Sequence, residues 1–157
     1  MDEHEGLRYL YFDVAHALQT QRWVIDHSGG LPGVKNVEHL ESVLGHIRNA
    51  AYYPEMTDKL CHLVFSINKN HSFNDGNKRS SIALGAYFLE LNGYDYVVAR
   101  FVHEMENIAV YVADNVVSKE LLRDVIASLL YEDDFSESLK LALITAISNA
   151  QTGTDFE

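Results

Sequence analysis

The sequence predicts an all-α fold, and three observations support it. Of the 157 residues, 47% are hydrophobic and only 22% are charged, which is enough apolar material for one continuous core. Apolar residues recur at three- and four-residue steps in segment after segment, the period of an amphipathic helix. No set of alternating segments is large enough to build a sheet core. We therefore predict a single domain over residues 1–157, with its core at about residues 7–131.

Three amphipathic helices are expected in the first half of the chain. The apolar face of the first consists of Leu7, Leu10, Tyr11, Val14, Leu18 and Ile25. A Ser-Gly-Gly-Leu-Pro-Gly break at residues 28–33 follows, and Asn36 is a suitable N-cap for the second helix. The third helix is expected from about residue 57 to 69, and the polar residues 68–71 favour a loop after it.

The second half begins with a segment, from about Asn77 to Leu91, that is apolar on nearly every side. Such a helix belongs at the centre of a bundle, and Gly93 fits a left-handed C-cap. Residues 94–98 are read as a short extended piece, and amphipathic segments then follow around residues 101–112 and 121–129. An acidic start at 132–134 introduces a last helix in the 132–157 extension, which we expect to pack on the bundle; a homodimer contact is the alternative.

Charge narrows the range of partners. Lys and Arg number 12 against 23 Asp and Glu, a formal net charge of -11, so neither nucleic acid nor an anionic membrane is an expected partner. Residues 1–5 are acidic where a signal peptide would be basic, and no apolar run approaches the roughly 18 residues of a membrane span. We therefore expect a cytoplasmic protein. The single cysteine, Cys61, is expected in the core.

The most informative segment is residues 71–79, His-Ser-Phe-Asn-Asp-Gly-Asn-Lys-Arg, directly before and into the central helix. A helix N-terminus offers unpaired N–H groups to an anion, and Gly76 allows a ligand to approach the backbone. Lys78 and Arg79 add two positive charges in the first turn, where cations are unfavourable for the helix itself. Together with Lys69, they form a cation island in an acidic protein, which predicts a polyphosphate ligand.

Two further residues of this segment suit phosphoryl chemistry. Asp75 is a carboxylate beside the cations, and Mg²⁺ usually needs only one or two protein carboxylates plus phosphate oxygens. Histidine, here His71, is the side chain best suited to take a proton from a hydroxyl near neutral pH. Phe73 is expected to point inward and anchor the loop. The alternative is that Asn77 is a helix cap and His71 a surface residue, but a cap does not explain cations at the helix start.

The segment matches the signature His-x-Phe-x-Asp/Glu-Gly/Ala-Asn-x-Arg, so the chain resembles the Fic/Doc (Fido) superfamily. Residues 27–34 and 89–94 are also similar to segments of its death-on-curing (Doc) members. The resemblance covers about residues 7–131 and implies a Fido-type helical bundle around a central buried helix. It also implies a short flap for docking the target segment, formed by Gly29, Gly30, Leu31, Pro32 and Gly33; the alternative is that these residues only connect two helices.

The departures from the family pattern point to one branch. Adenylyl-transferring members have Gly where this chain has Lys78, and a second Arg where it has Ile82; Ser72 also replaces the usual Pro. This pattern resembles the Doc toxins, which transfer the γ-phosphate of ATP to a protein hydroxyl. The resemblance implies that His71 is the general base and Asp75 the Mg²⁺ ligand. The residues implied to bind the nucleotide phosphates are Gly76, Asn77, Lys78 and Arg79.

The same resemblance sets expectations for partners. The target is expected to be a protein with a Ser or Thr hydroxyl, by family analogy a translation elongation factor. Many Fic proteins carry an inhibitory Ser/Thr-x-x-x-Glu-Gly/Asn helix; here Glu5-Gly6 and Glu106-Asn107 lack the Ser or Thr, so a separate antitoxin is expected. A Fic-type protein adenylyltransferase and a catalytically inactive Fido-fold binding module remain the alternatives. The other seven histidines lack a close metal-ligand spacing, and Trp23 is expected to be a packing residue.

Overall fold

A computed structural model describes residues 8–155, and side chains up to residue 152. The predicted core boundary at residue 7 and the Glu5-Gly6 pair lie outside this part. The described residues form seven helices, which confirms the all-α prediction: α1 (Val14–Ser28), α2 (Val37–His46), α3 (Met56–Asn70), α4 (Asn77–Leu91), α5 (Asp95–Ala113), α6 (Lys119–Tyr131) and α7 (Glu137–Asp155). None of these helices is long and apolar enough to cross a membrane.

Helix α1 begins later than its apolar period predicts. Asp13 is the N-cap, and its side chain accepts a hydrogen bond from the His16 backbone N–H at 2.9 Å. Leu10 lies before the helix, where its N–H and C=O pair with the side-chain amide of Asn92 at 2.8 and 3.0 Å. The predicted helical face was therefore wrong for Leu10 and Tyr11, because a capping aspartate ends the period. The predicted N-cap of α2, Asn36, is confirmed.

Helices α3 and α4 form the centre of the bundle. Helix α3 packs against α2, α4, α5 and α6, and α4 packs against α1, α3 and α5. No residue of α4 from 80 to 89 is exposed, which confirms the predicted central helix. The predicted third helix, about 57–69, is confirmed to within one residue at each end, whereas the loop predicted at 68–71 was wrong for its first three residues, since α3 continues to Asn70. Asn68 is buried and donates a hydrogen bond to the Ala109 carbonyl at 2.9 Å, which keeps this turn helical against α5.

The second half of the bundle also departs from expectation at one point. Gly93 adopts a positive φ of 82° and ends α4 as predicted. The extended piece predicted at 94–98 was wrong, because α5 already begins at Asp95 and buries Val97 and Phe101 one turn apart. Cys61 is buried in the core as predicted, and burial raises the pKa of its thiol to about 12. Helix α7 packs on α6, with Leu141 and Ile144 exposed on its outer side.

Candidate active site

The 71–79 segment leaves α3 and enters α4 in a conformation fixed by its own side chains. Phe73 is completely buried, which confirms its predicted role as an anchor. The Asn77 side chain accepts a hydrogen bond from the Phe73 N–H at 3.0 Å and donates to the Phe73 carbonyl at 3.1 Å. Ser72 is also buried, and its hydroxyl lies 2.7 Å from Nδ1 of His39. The loop is therefore fixed by the buried Phe73 ring, by the two bonds from Asn77 and by the Ser72–His39 contact. The Asn77 side chain is used in holding the loop.

An open pocket of about 250 Å³ lies over this segment, between the end of α3 and the start of α4. It brings together all six residues that the sequence assigns to chemistry and phosphate binding, along with three neighbours. The complete lining is Asn68, His71, Asn74, Asp75, Gly76, Asn77, Lys78, Arg79 and Ala113. His71 is exposed and adopts a left-handed conformation, φ 51°, that ends α3. In the part of the chain that the structure describes, no hydrogen bond engages its imidazole ring.

The first turn of α4 is left open to an anion. At the starts of α1, α2 and α6, a side chain accepts a hydrogen bond from a backbone N–H of the first turn. These side chains belong to Asp13, Asn36 and Ser118. Helix α4 begins instead at Gly76, which has a positive φ of 68° and no side chain to cap the helix. Among residues 8–155, the backbone N–H groups of Asn77, Lys78 and Arg79 therefore have no protein acceptor, and they lie at the positive end of the helix dipole. A helix terminus of this kind is suited to bind an anion.

Two cations stand beside this helix terminus. Lys78 is exposed, and Arg79 donates to the backbone carbonyls of Ser28 at 3.2 Å and Gly29 at 3.4 Å. Among residues 8–155, neither makes a salt bridge with a carboxylate. Lys69 does not belong to this group: its ammonium donates to the Asn115 side chain, and it does not line the pocket. The predicted three-cation island was therefore wrong for Lys69, because the last turn of α3 turns that side chain toward the end of α5.

Asp75 is the carboxylate of the pocket. Its Oδ1 accepts a hydrogen bond from the Gly76 N–H at 3.1 Å, and its Oδ2 accepts one from the Leu31 N–H at 3.3 Å. Each carboxylate oxygen can accept more than one bond, so this exposed group keeps capacity for a cation. Within residues 8–155 there is no cluster of three or more His, Cys, Asp and Glu side chains. A lone carboxylate fits Mg²⁺ that arrives with phosphate oxygens as its other ligands.

The flap, residues 29–33, lies against this carboxylate. Gly30 has a positive φ of 115°, and a Cβ there would stand 2.8 Å from Oδ2 of Asp75. Just beyond the flap, Val34 forms an antiparallel bridge with Phe73, and the Asn74 N–H donates to the Gly33 carbonyl at 3.0 Å. Hydrogen bonds thus join the flap to the 71–79 segment beside the pocket, although none of residues 29–33 lines it.

A sequence model of the Fic/DOC family matches residues 11–89, half of the chain, including the flap and the whole 71–79 segment. The chain belongs to the Fic/DOC family. A curated relative, "Protein kinase doc" of Escherichia phage P1, is 34% identical over 73 residues. That alignment covers 44% of this chain and 57% of the relative, so the chain spans little more than half the length of the relative. The predicted family resemblance is confirmed.

The sequence alone did not reveal one residue of this Fic/DOC site, Gln21. It lies on α1 with 1% of its surface exposed. Its amide nitrogen donates to the carbonyls of Leu31 at 3.2 Å and Asp75 at 3.0 Å, and its oxygen accepts from the Gly33 N–H at 3.1 Å. The available signal was a polar residue at helical spacing between Leu18 and Ile25, within the predicted apolar face.

A histidine cluster behind the 71–79 segment was also missed. His46 Nδ1 lies 3.3 Å from His62 Nε2, and the Lys119 ammonium lies 3.0 Å from His62 Nδ1. Burial, followed by the charge of Lys119, lowers the pKa of His62 to about 4, and burial also lowers the pKa of His39. His39 and His46 lie seven residues apart on α2, a same-face spacing that could have indicated the cluster.

Trp23 is not a packing residue of this Fic/DOC domain. Its side chain is 59% exposed and stacks on His27 with the ring centroids 4.0 Å apart. Helix α1 buries Ala17, Gln21, Val24 and Ile25, and Trp23 falls on the opposite side. The expectation from residue type was wrong because the buried face of α1 includes the polar Gln21 and excludes the indole.

Proposed function

We propose that this protein is a Doc-like toxin that transfers the γ-phosphate of ATP to a Ser or Thr hydroxyl of a target protein, by family analogy a translation elongation factor. One observation carries the proposal. Lys78 and Arg79 line a pocket at a helix start that has no side-chain cap, and within residues 8–155 neither forms a salt bridge, in a chain of formal net charge -11. A polyphosphate supplies the negative charge that this arrangement lacks.

The pocket suits the phosphate chain of ATP. Its volume of about 250 Å³ lies below the roughly 300–1,000 Å³ of pockets that enclose a drug-sized ligand, so the nucleoside would extend beyond it. The first-turn N–H groups of α4, with Lys78 and Arg79, would hold the phosphates. Asp75 would hold Mg²⁺ together with phosphate oxygens, and Mg²⁺ neutralises charge that develops during the transfer.

In this proposal His71 accepts the proton of the reaction. The target oxygen attacks the γ-phosphorus, the bond from that phosphorus to the ADP oxygen breaks, and the hydroxyl proton passes to the imidazole. The ring is exposed at the edge of the pocket and makes no hydrogen bond to the rest of the described chain, so it can meet an incoming hydroxyl. Positioning and charge neutralisation supply most of the acceleration in phosphoryl transfer.

Two residues support phosphate transfer rather than AMP transfer. Lys78 is an exposed cation at the pocket where adenylyl-transferring relatives carry Gly, and the half-buried Ile82 replaces their second Arg. Binding of the nucleotide in the orientation of the Doc branch would place the γ-phosphate toward the target. We also propose that a separate antitoxin controls the protein. Within residues 8–155 the remaining candidate for an inhibitory motif, Glu106-Asn107, has Val102 where the motif needs Ser or Thr.

The test uses ATP labelled at the γ- or at the α-phosphate, with a purified translation elongation factor and, in parallel, a bacterial extract as acceptor. Phosphate transfer moves only the γ-label onto protein, and His71→Ala abolishes it. Transfer of the α-label overturns the phosphotransferase assignment in favour of adenylyl transfer. Transfer of neither label, or equal transfer by His71→Ala, overturns the enzymatic proposal and favours a binding module. His103→Ala, an exposed histidine on α5, is the matched control.

A further inference from the structure

Three chain segments meet at the Gln21 side chain, and the structure assigns this residue as the positioning residue that aligns the flap with Asp75. The inference rests on the proposed function and concerns how the flap and Asp75 are positioned relative to each other at that same site. Gln21 belongs to α1, its Leu31 and Gly33 partners to the flap, and Asp75 to the 71–79 segment. It is therefore the shared hydrogen-bond partner of a docking surface and a metal-ligand loop.

The chemistry of a primary amide explains why this residue type is needed. The Leu31 and Asp75 carbonyls both require a donor, and the Gly33 N–H requires an acceptor. A glutamine supplies two N–H donors and one carbonyl acceptor from one flat group, which matches this set. Because Gln21 is 1% exposed, its own polar atoms depend on these three bonds.

The bond to the Asp75 backbone controls the Asp75 carboxylate. Asp75 accepts a hydrogen bond from the Gln21 side chain at its backbone carbonyl. Its Oδ2 also accepts one from the Leu31 N–H, at 3.3 Å. The Leu31 carbonyl in turn receives the other bond from Gln21. Gln21, Leu31 and Asp75 thus close a ring of hydrogen bonds, so a shift of the amide changes the direction in which the carboxylate faces its cation. Outer-shell groups of this kind typically change metal affinity by about 10- to 100-fold.

The next turn of α1 adds a steric limit to the same alignment. Ile25 Cδ1 would lie 3.0 Å from a Cβ at Gly30 and 3.1 Å from a Cβ at Gly76. The flap and the 71–79 segment are therefore both in close contact with α1 at Ile25 and both hydrogen-bonded to it at Gln21. Helix α1 thus links the target side and the nucleotide side of the pocket, in addition to the direct bonds from Asn74 to Pro32 and Gly33.

The experiment compares Gln21→Glu with wild type, with Gln19→Glu as the matched control at an exposed position of α1. Glutamate has the same length but cannot donate to the Leu31 and Asp75 carbonyls. Gln21→Met is neutral, so it shows the effect of losing the donors without the effect of an added charge. It also replaces Gln21→Glu if that variant does not melt cooperatively. The probes are ATP with Mg²⁺, ATP with EDTA, and amide hydrogen exchange without any ligand.

We expect faster exchange at the Leu31 and Gly33 amides in both Gln21 variants and not in Gln19→Glu. In calorimetry, the gain in ATP affinity that Mg²⁺ provides shrinks by about tenfold or more, while ATP affinity in EDTA changes little. A purely structural role would lower the fraction of binding-competent protein and leave that gain intact, which would overturn the inference. Unchanged exchange at the flap amides would also overturn it. If wild type does not bind ATP, the proposed function fails, and the exchange data still decide whether Gln21 aligns the two segments.

Discussion

The buried histidine on α3 makes the stability of this protein sensitive to acid in a way that can be measured. His62 is 8% exposed and contacts His46, Lys119 and the Ser66 hydroxyl, the last at 3.4 Å from Nδ1. The Tyr53 ring lies over it, with the centroids 4.4 Å apart. The neighbouring cation and the burial both oppose a second positive charge, so the folded protein keeps this imidazole neutral. The perturbation is His62→Gln, which removes the titrating group.

The magnitude follows from the pKa. Burial, with the charge of Lys119 as the next cause, lowers the pKa of His62 from 6.5 to about 4. Between these two pH values the unfolded chain binds a proton that the folded chain does not, so the free energy of unfolding falls as the pH falls. At about 1.4 kcal/mol for each pKa unit, the loss amounts to roughly 3 kcal/mol by pH 4. Above pH 6.5 the contribution is fully present.

The assay is urea denaturation followed by circular dichroism at a series of pH values from 7 to 4. We expect wild type to lose about 3 kcal/mol more than His62→Gln over this range, whatever the difference between them at pH 7. His103→Gln, at an exposed position of α5, should follow the wild-type slope. The lowered pKa of His39 leaves part of the slope in the variant. Equal slopes for wild type and His62→Gln would refute the reasoning.

Three further changes test the packing and the site. Phe73→Ala should cost about 3–5 kcal/mol in urea denaturation because the ring is fully buried, and a cost below about 1 kcal/mol would contradict its role as anchor. Gly29→Ala and Gly30→Ala share the strain of a positive φ, but only a Cβ at Gly30 would lie 2.8 Å from Asp75 Oδ2. Calorimetry should therefore show a greater loss of Mg²⁺-dependent ATP binding for Gly30→Ala. Equal losses in the two variants would count against the flap's contact with Asp75. Asp13→Ala should cost about 1 kcal/mol of thermal stability through loss of the α1 cap, while exposed Asp26→Ala should not.

Local signals predicted the fold well where one residue ends or begins a helix. Asn36 and Gly93 mark the start of α2 and the end of α4 because capping depends on the residue itself. At the start of α1 the local signal, Asp13, competes with an apolar period that runs past it. Leu10 continues the apolar period, but it is held outside the helix by Asn92, a partner 82 residues away. Helix α3 extends past its polar end for a similar reason, since the buried Asn68 bonds to α5.

In the site, too, residues close together in the sequence were predictable and a residue distant in the sequence was not. His71, Asp75, Lys78 and Arg79 fall within nine residues of sequence, and the short loop before α4 brings them to one pocket. Gln21, 54 residues from Asp75, enters the site only through the packing of α1 on the loop. The apolar periodicity of α1 shows Gln21 only as a polar residue on an apolar face. It does not show which groups Gln21 bonds.

The claim that the 71–79 pocket binds ATP is tested most directly by calorimetric titration of wild type, Lys78→Gln and Lys69→Gln with ATP in the presence of Mg²⁺. The two variants remove the same charge nine residues apart, and only Lys78 lines the pocket. We predict that wild type and Lys69→Gln bind ATP alike and that Lys78→Gln binds it about tenfold more weakly, the loss of one charge-assisted contact. Equal binding by all three proteins, or no binding by wild type, would contradict a phosphate site at the start of α4.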